Sequence, residues 1–166
     1  MAVLDETGRL GGADLNVGDP NLIARPTWFA RLWKGAVEVS PLETQLVHRF
    51  VREMPPDFRP SLEAQIRSAN LIQRDPGWTE LRFYTMVSGS VDRSGLPVLP
   101  ILEGEVKLLS ITFAVSNEDL RHVSFWAVDR HFVMMNLDRS IERCADGKHF
   151  DLIGIRQSWR SNTART

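Results

Sequence analysis

A chain of 166 residues, 43% hydrophobic and 25% charged, has the size and composition of one globular domain with a single core. Twenty Lys plus Arg against twenty-one Asp plus Glu leave a formal charge of −1, which withholds the broad positive field that sequence-independent nucleic-acid binding relies on. Cys144 is the only cysteine, so no internal disulfide can form; no stretch reaches the roughly eighteen apolar residues of a membrane span, and the expected location is the cytoplasm.

Residues 1–25 carry Gly11, Gly12, Gly18, Asp14, Asp19 and Pro20 with few aromatics, the composition of a loosely ordered arm. The domain proper is expected over 26–160, with 161–166 as a frayed tail. In "RPTWFARLWKG", Thr27 is placed to cap a short helix, and Trp28, Leu32 and Trp33 fall near one stripe before Gly35. The segment from Trp28 to Trp33 is therefore a candidate lid over one sheet face.

The clearest helix signal is "SPLETQLVHRFVREMPP". Ser40 stands as N-cap, Pro41 takes the first helical position where a missing N–H costs nothing, and Glu43 completes a capping box. Leu42, Leu46, Val47, Phe50 and Met54 form the apolar stripe, with Glu43, Arg49, Arg52 and Glu53 mostly away from it, and Pro55 and Pro56 end the helix. A shorter helix is predicted from Pro60 to about Ala69, burying Leu62 and Ile66.

Beyond it the apolar period changes from 3.6 to 2. "NLIQR" and "TELRFYTM" flank the turn Asp75-Pro76-Gly77-Trp78, with Leu81 and Phe83 on one face and Glu80, Arg82 and Tyr84 on the other. "SGSVDRSGLP" reads as a polar connection and "GEVKLLSITFAV" as a long strand. "SNEDL" then turns into "HVSFWAVDRHFVMMNLD", a hairpin with Val123, Phe125 and Ala127 facing one way and Ser124, Trp126 and Val128 the other. "HFDLIGIRQSW" adds a last strand. Helices followed by strands predict an α+β fold: a twisted antiparallel β-meander with the N-terminal helices packed on one face. The second face must be covered by the Trp28 to Trp33 segment, by the arm or by another chain. Trp126 is expected to be buried beneath that segment, with an anchor for a partner as the alternative.

Chemistry-bearing motifs are absent. The chain has no GxxxxGK[ST], GxGxxG or GxSxG, and no HExxH or CxxC, so phosphate-loop, dinucleotide, nucleophile-elbow and paired-ligand zinc readings lack their residues. Cys144 and His149 have no second ligand pair, and no catalytic residue, metal or cofactor is expected. Asp129, Arg130 and His131 at the hairpin tip read first as turn residues. Trp78, Trp126 and Trp159 read as core or interface rather than as a stacking platform.

The run "LLSITF", the acidic turn "SNEDL", then "VSFWAV" and "HFVMMNLD" resemble small bacterial α+β proteins over roughly residues 40–138, some of which serve as immunity proteins of contact-dependent inhibition and other polymorphic toxin systems. The resemblance implies an interaction protein that binds and neutralises a cognate toxin domain, a nuclease among the candidates, without itself binding nucleic acid or membrane. Acids in small groups fit a basic partner, and the residues expected at such an interface are Glu103, Glu105, Glu118, Asp119, Asp129, Arg130 and Trp126. The alternative is a small-ligand pocket, or an unrecognised enzyme, between the sheet and the Trp28 to Trp33 segment, lined by Arg82, Tyr84 and His122. Homodimerisation through the uncovered face is a third reading.

Overall fold

The computed structural model describes residues 21–25, 35–115, 119–147 and 149–158. Helices α1 (Pro41–Glu53) and α2 (Arg59–Ser68) precede strands β1 (Leu71–Arg74), β2 (Glu80–Tyr84), β3 (Met86–Val87), β4 (Ser90–Val91), β5 (Glu105–Ala114), β6 (Leu120–Val128), β7 (His131–Leu137) and β8 (Asp151–Gln157). A short 3₁₀ turn, Glu142–Cys144, lies between β7 and β8. Six strands form one antiparallel sheet in the order β1-β2-β7-β6-β5-β8, and β3 and β4 make a separate ribbon, β3 just before and β4 within the stretch read as a polar connection. The α+β architecture is as the residue pattern predicts.

Helix α1 starts as its residues dictate. The Ser40 hydroxyl accepts from the Glu43 N–H at 3.3 Å, and the Glu43 carboxylate accepts from the Ser40 N–H at 2.7 Å. At the other end Met54 turns extended, and the Arg59 side chain donates to the Met54 and Arg52 carbonyls, both at 2.8 Å, satisfying groups the helix leaves free. Helix α2 spans Arg59–Ser68 and buries Leu62 and Ile66 completely.

Glu43 departs from the expectation that it lies off the apolar stripe: it is 1% exposed. Arg74 at the end of β1 explains why. Its Nε donates to Glu43 Oε1 at 2.8 Å and its Nη2 to Glu43 Oε2, while Nη2 also reaches the Glu38 carbonyl. The guanidinium lies 3.9 Å from the centre of the Trp78 ring. A carboxylate that caps a helix and pairs with an arginine can be buried because its lone pairs are used.

Strand alternation sorts the sheet faces. Val123, Phe125 and Ala127 of β6 and Leu81 and Phe83 of β2 are buried toward the helices. Phe50 of α1 stacks on Phe125 with ring centres 4.2 Å apart, and Phe132 joins Phe50 to Phe83 at 5.2 and 5.0 Å. Each such side chain contributes about 1.5–3 kcal/mol of burial, so this aromatic row is the main attachment of α1 to the sheet. Bulges between Lys107 and Leu109 and between Trp126 and Ala127 interrupt the β5–β6 and β6–β7 ladders. Leu22, within the stretch expected to be a loose arm, is buried in the core, and the Val37 N–H donates to the Ile72 carbonyl beside β1. The candidate lid from Trp28 to Trp33, Glu118, Trp159 and the 161–166 tail lie outside the described residues.

Candidate functional site

The face of the sheet turned away from α1 and α2 carries Lys107, Ser110 and Thr112 from β5, His122, Ser124 and Trp126 from β6, Met134 and Asn136 from β7, and Glu80, Arg82 and Tyr84 from β2. Its centre is polar: Ser110 and Ser124 hydroxyls lie 3.0 Å apart, and the Thr112 hydroxyl meets His122 Nδ1 at 2.9 Å. Trp126 sits among these residues half-buried, with the Lys107 ammonium 4.9 Å from its ring centre. It is therefore not the fully buried tryptophan that the sequence suggested, because its strand register points it away from the helices.

The residues of the alternative pocket share this face without converging. Arg82 and Tyr84 are neighbours on β2, where the Glu80 carboxylate, followed by the Tyr84 hydroxyl, raises the guanidinium above its ordinary pKa. His122 lies two strands across, four residues along from Arg82 and six from Tyr84, about 16 and 22 Å away from strand spacing and rise. The Thr112 hydroxyl already occupies one of its ring nitrogens. No small molecule bridges such a separation at a single reacting centre.

The expected interface residues divide between the two ends of the sheet. At one end, the Asp119 carboxylate receives Arg121 Nε at 3.1 Å and also Nη2, with Arg139 Nη1 at 3.5 Å. Arg121, almost fully buried, carries on to the Ser140 carbonyl. Asp119 is thus neutralised within the chain and anchors the start of β6. Cys144 lies nearby; burial pushes its thiol above the ordinary value, and its Sγ donates to the Ile141 carbonyl at 3.3 Å. Among the described residues no group of three or more His, Cys, Asp and Glu is placed to hold a metal ion.

The other end, reached along the nine residues of β6, about 27 Å away at the usual rise, gathers Glu103, Glu105, Asp129 and Arg130. Asp129 and Arg130 have φ of 47° and 66°, so both central residues of the β6–β7 turn are left-handed, the geometry that two-residue hairpins require. The turn reading holds for these two, and His131 already belongs to β7. Gly104, at φ 93°, lies against the turn: the Asp129 N–H donates to its carbonyl at 2.9 Å, and its own N–H donates to Asp129 Oδ1 at 3.1 Å. That exchange brings Glu103 and Glu105, the two flanks of Gly104, beside Asp129. All three acids are exposed, and neither Glu103 nor Glu105 is in an ion pair among the described residues.

Apolar side chains gather at the same end, which the sequence reading did not single out. Val87 and Val91 on the β3–β4 ribbon and Val98 and Leu102 in the following loop are between 42% and 55% exposed. They account for four of the six large hydrophobic residues exposed among those described, the others being Leu120 and Ile153. "SGSVDRSGLP" looked polar by composition; the turn at Ser88 and Gly89, φ 50° and 86°, folds its start back on Met86–Val87 as a ribbon in which Val87 and Val91 are exposed. Carboxylates outside any ion pair among the described residues, with exposed Leu102 next to Glu103, make a surface suited to a protein partner. No helix among the described residues is long and apolar enough to cross a membrane. No family model, no curated protein and no solved structure matches this chain.

Proposed function

We propose that this chain is an interaction protein whose acidic end of the sheet binds a basic protein domain, as an immunity protein neutralises its cognate toxin. The observation that carries the reading is the meeting of Glu103, Glu105 and Asp129 at one end of the sheet, with exposed Leu102 next to Glu103 and exposed Val98 next to Leu99, whose N–H bonds the Arg130 carbonyl. Carboxylates that no ion pair engages among the described residues supply steering and selectivity toward a cationic surface, while the aliphatic groups near them supply the desolvated contact. A nuclease domain, whose substrate cleft is basic, is the partner class with the fitting charge. The open face takes a smaller part in this reading. Its Ser, Thr and Asn centre suits a solvated surface better than the apolar heart of an obligate dimer.

Coexpression with the product of the neighbouring gene tests the proposal. The expected result is copurification of a stable complex together with protection of cells from that product's toxicity. No complex and no protection would remove the support for an immunity role.

A further inference from the structure

The acidic end is assembled from segments far apart in the sequence, and one buried side chain joins them. Gln65, on α2 between Leu62 and Ile66, is 5% exposed. Its Oε1 accepts from the Phe132 N–H at 2.8 Å, and its Nε2 donates to the Pro97 carbonyl at 2.6 Å and to the Arg130 carbonyl at 3.3 Å. The bonds continue outward from those contacts. The Leu99 N–H donates to the Arg130 carbonyl at 2.9 Å, Arg130 Nε donates to the Leu99 carbonyl at 3.0 Å, and Asp129 and Gly104 exchange the pair already described.

A position flanked by fully buried Leu62 and Ile66 would ordinarily take an apolar residue, since burying an amide is costly unless its groups are paired. Here the amide reaches three backbone groups belonging to the 97–101 loop, the 129–130 turn and the start of β7. Phe132 lies beside the bulge between Trp126 and Ala127, and the Arg130 carbonyl also accepts from Leu99, so the amide ties the loop to the end of the hairpin.

We infer that Gln65 is the positioning residue of the acidic end, a buried latch that holds the loop over 97–104 and the β6–β7 turn as one unit and so presents Glu103, Glu105 and Asp129 in a fixed arrangement. The purpose of the latch rests on the binding role proposed above; its mechanics do not. A surface ordered before the encounter loses less freedom on association, which raises affinity without any added contact.

Backbone amide hydrogen exchange on the free protein tests it, using wild type, Gln65→Leu and Gln65→Glu. In Gln65→Leu, protection of the Leu99, Gly104 and Asp129 amides should fall about tenfold relative to central-strand amides such as Val123 and Phe125, since local opening no longer has to break the shared bonds. Gln65→Glu should behave similarly at neutral pH. On acidification its protonated carboxyl regains one donor beside its acceptor, and relative protection should return toward that of wild type at the same pH. A proportional fall across loop and central strands, unchanged protection in the loop, or no recovery of Gln65→Glu in acid would overturn the inference. Should Gln65→Leu fail to fold, the acid recovery of Gln65→Glu decides alone. Failure to find a basic partner leaves these exchange results standing, and an intact loop in Gln65→Leu leaves the acids themselves in place, so the two proposals fail separately.

Discussion

Glu43→Ala should be among the most damaging single substitutions outside the apolar core. The carboxylate accepts from Ser40 N–H and from two nitrogens of Arg74, and the two side chains are 2% and 9% exposed. Its removal leaves the Ser40 amide without its acceptor and, among the described residues, a near-buried guanidinium with the Glu38 carbonyl and the Trp78 ring for partners. Breaking one side of a buried ion pair costs about 3–5 kcal/mol, most of it the uncompensated charge left behind. Glu43→Gln keeps an acceptor for the helix cap and one for Arg74 but gives up charge assistance, so its cost should be smaller, about 1–3 kcal/mol. Arg74→Met alone should cost as much as Glu43→Ala, whereas Glu43→Met with Arg74→Met should cost clearly less than the sum of the two single changes, because no charge remains to be left unpaired. Urea unfolding at constant m-value reads each variant. A Glu43→Ala variant within 1 kcal/mol of wild type, or a double variant that costs the full sum, would refute the view that Arg74 holds Glu43 inside.

Ser40→Ala removes a single capping acceptor while Glu43 still bonds the Ser40 N–H, and a loss of about 1 kcal/mol in urea unfolding is expected; no loss would show that the 3.3 Å cap bond contributes nothing. Trp126→Ala deletes a half-buried ring and its Lys107 contact, so it should cost about 2 kcal/mol rather than the roughly 3–5 of a core tryptophan; a thermal melt placing it in the higher range would mean that the open face is covered. Burial pushes the Asp75 carboxyl upward, but the N–H groups of Glu80, Thr79 and Gly77 and the Thr79 hydroxyl outweigh it and hold the group below its ordinary pKa. With a depressed folded pKa, the stability Asp75 supplies is fully present above its unfolded value of about 3.9 and is lost as pH falls through the folded value. The stability gap between wild type and Asp75→Asn should therefore narrow in acid, and a gap independent of pH would contradict the assignment.

Much of the fold was legible because it rests on local rules. Ser40, Pro41 and Glu43 mark a helix start by their spacing alone, and period-two alternation assigns Phe125 and Trp126 to opposite faces correctly. Strand order was not legible, since nothing in β2 or β7 says that they should be neighbours in a sheet ordered β1-β2-β7-β6-β5-β8. The burial of Glu43 was hidden for the same reason: its partner Arg74 is 31 residues away, and a helical wheel sees only the helix. For the candidate site, composition found the acids but could not group them. Asp119 is consumed by Arg121 and Arg139, whereas Glu103 and Glu105 join Asp129 through Gly104, contacts that depend on tertiary pairing. Gln65 carried no sequence signal, because a glutamine on a short helix reads as a surface residue until the loop beneath it is in place.

The most direct test of the acidic end as a binding surface is the affinity of a copurifying basic partner for wild type and for a variant carrying Glu103→Lys, Glu105→Lys and Asp129→Asn. The three positions are exposed, and Asn keeps both the left-handed turn and the Oδ1 acceptor for the Gly104 N–H, so the variant should melt like wild type. Its affinity should fall about a hundredfold or more, with most of the salt dependence of association lost, as close charge pairs across an interface predict. An unchanged affinity in a normally folded variant would contradict the assignment and place the partner elsewhere on the molecule.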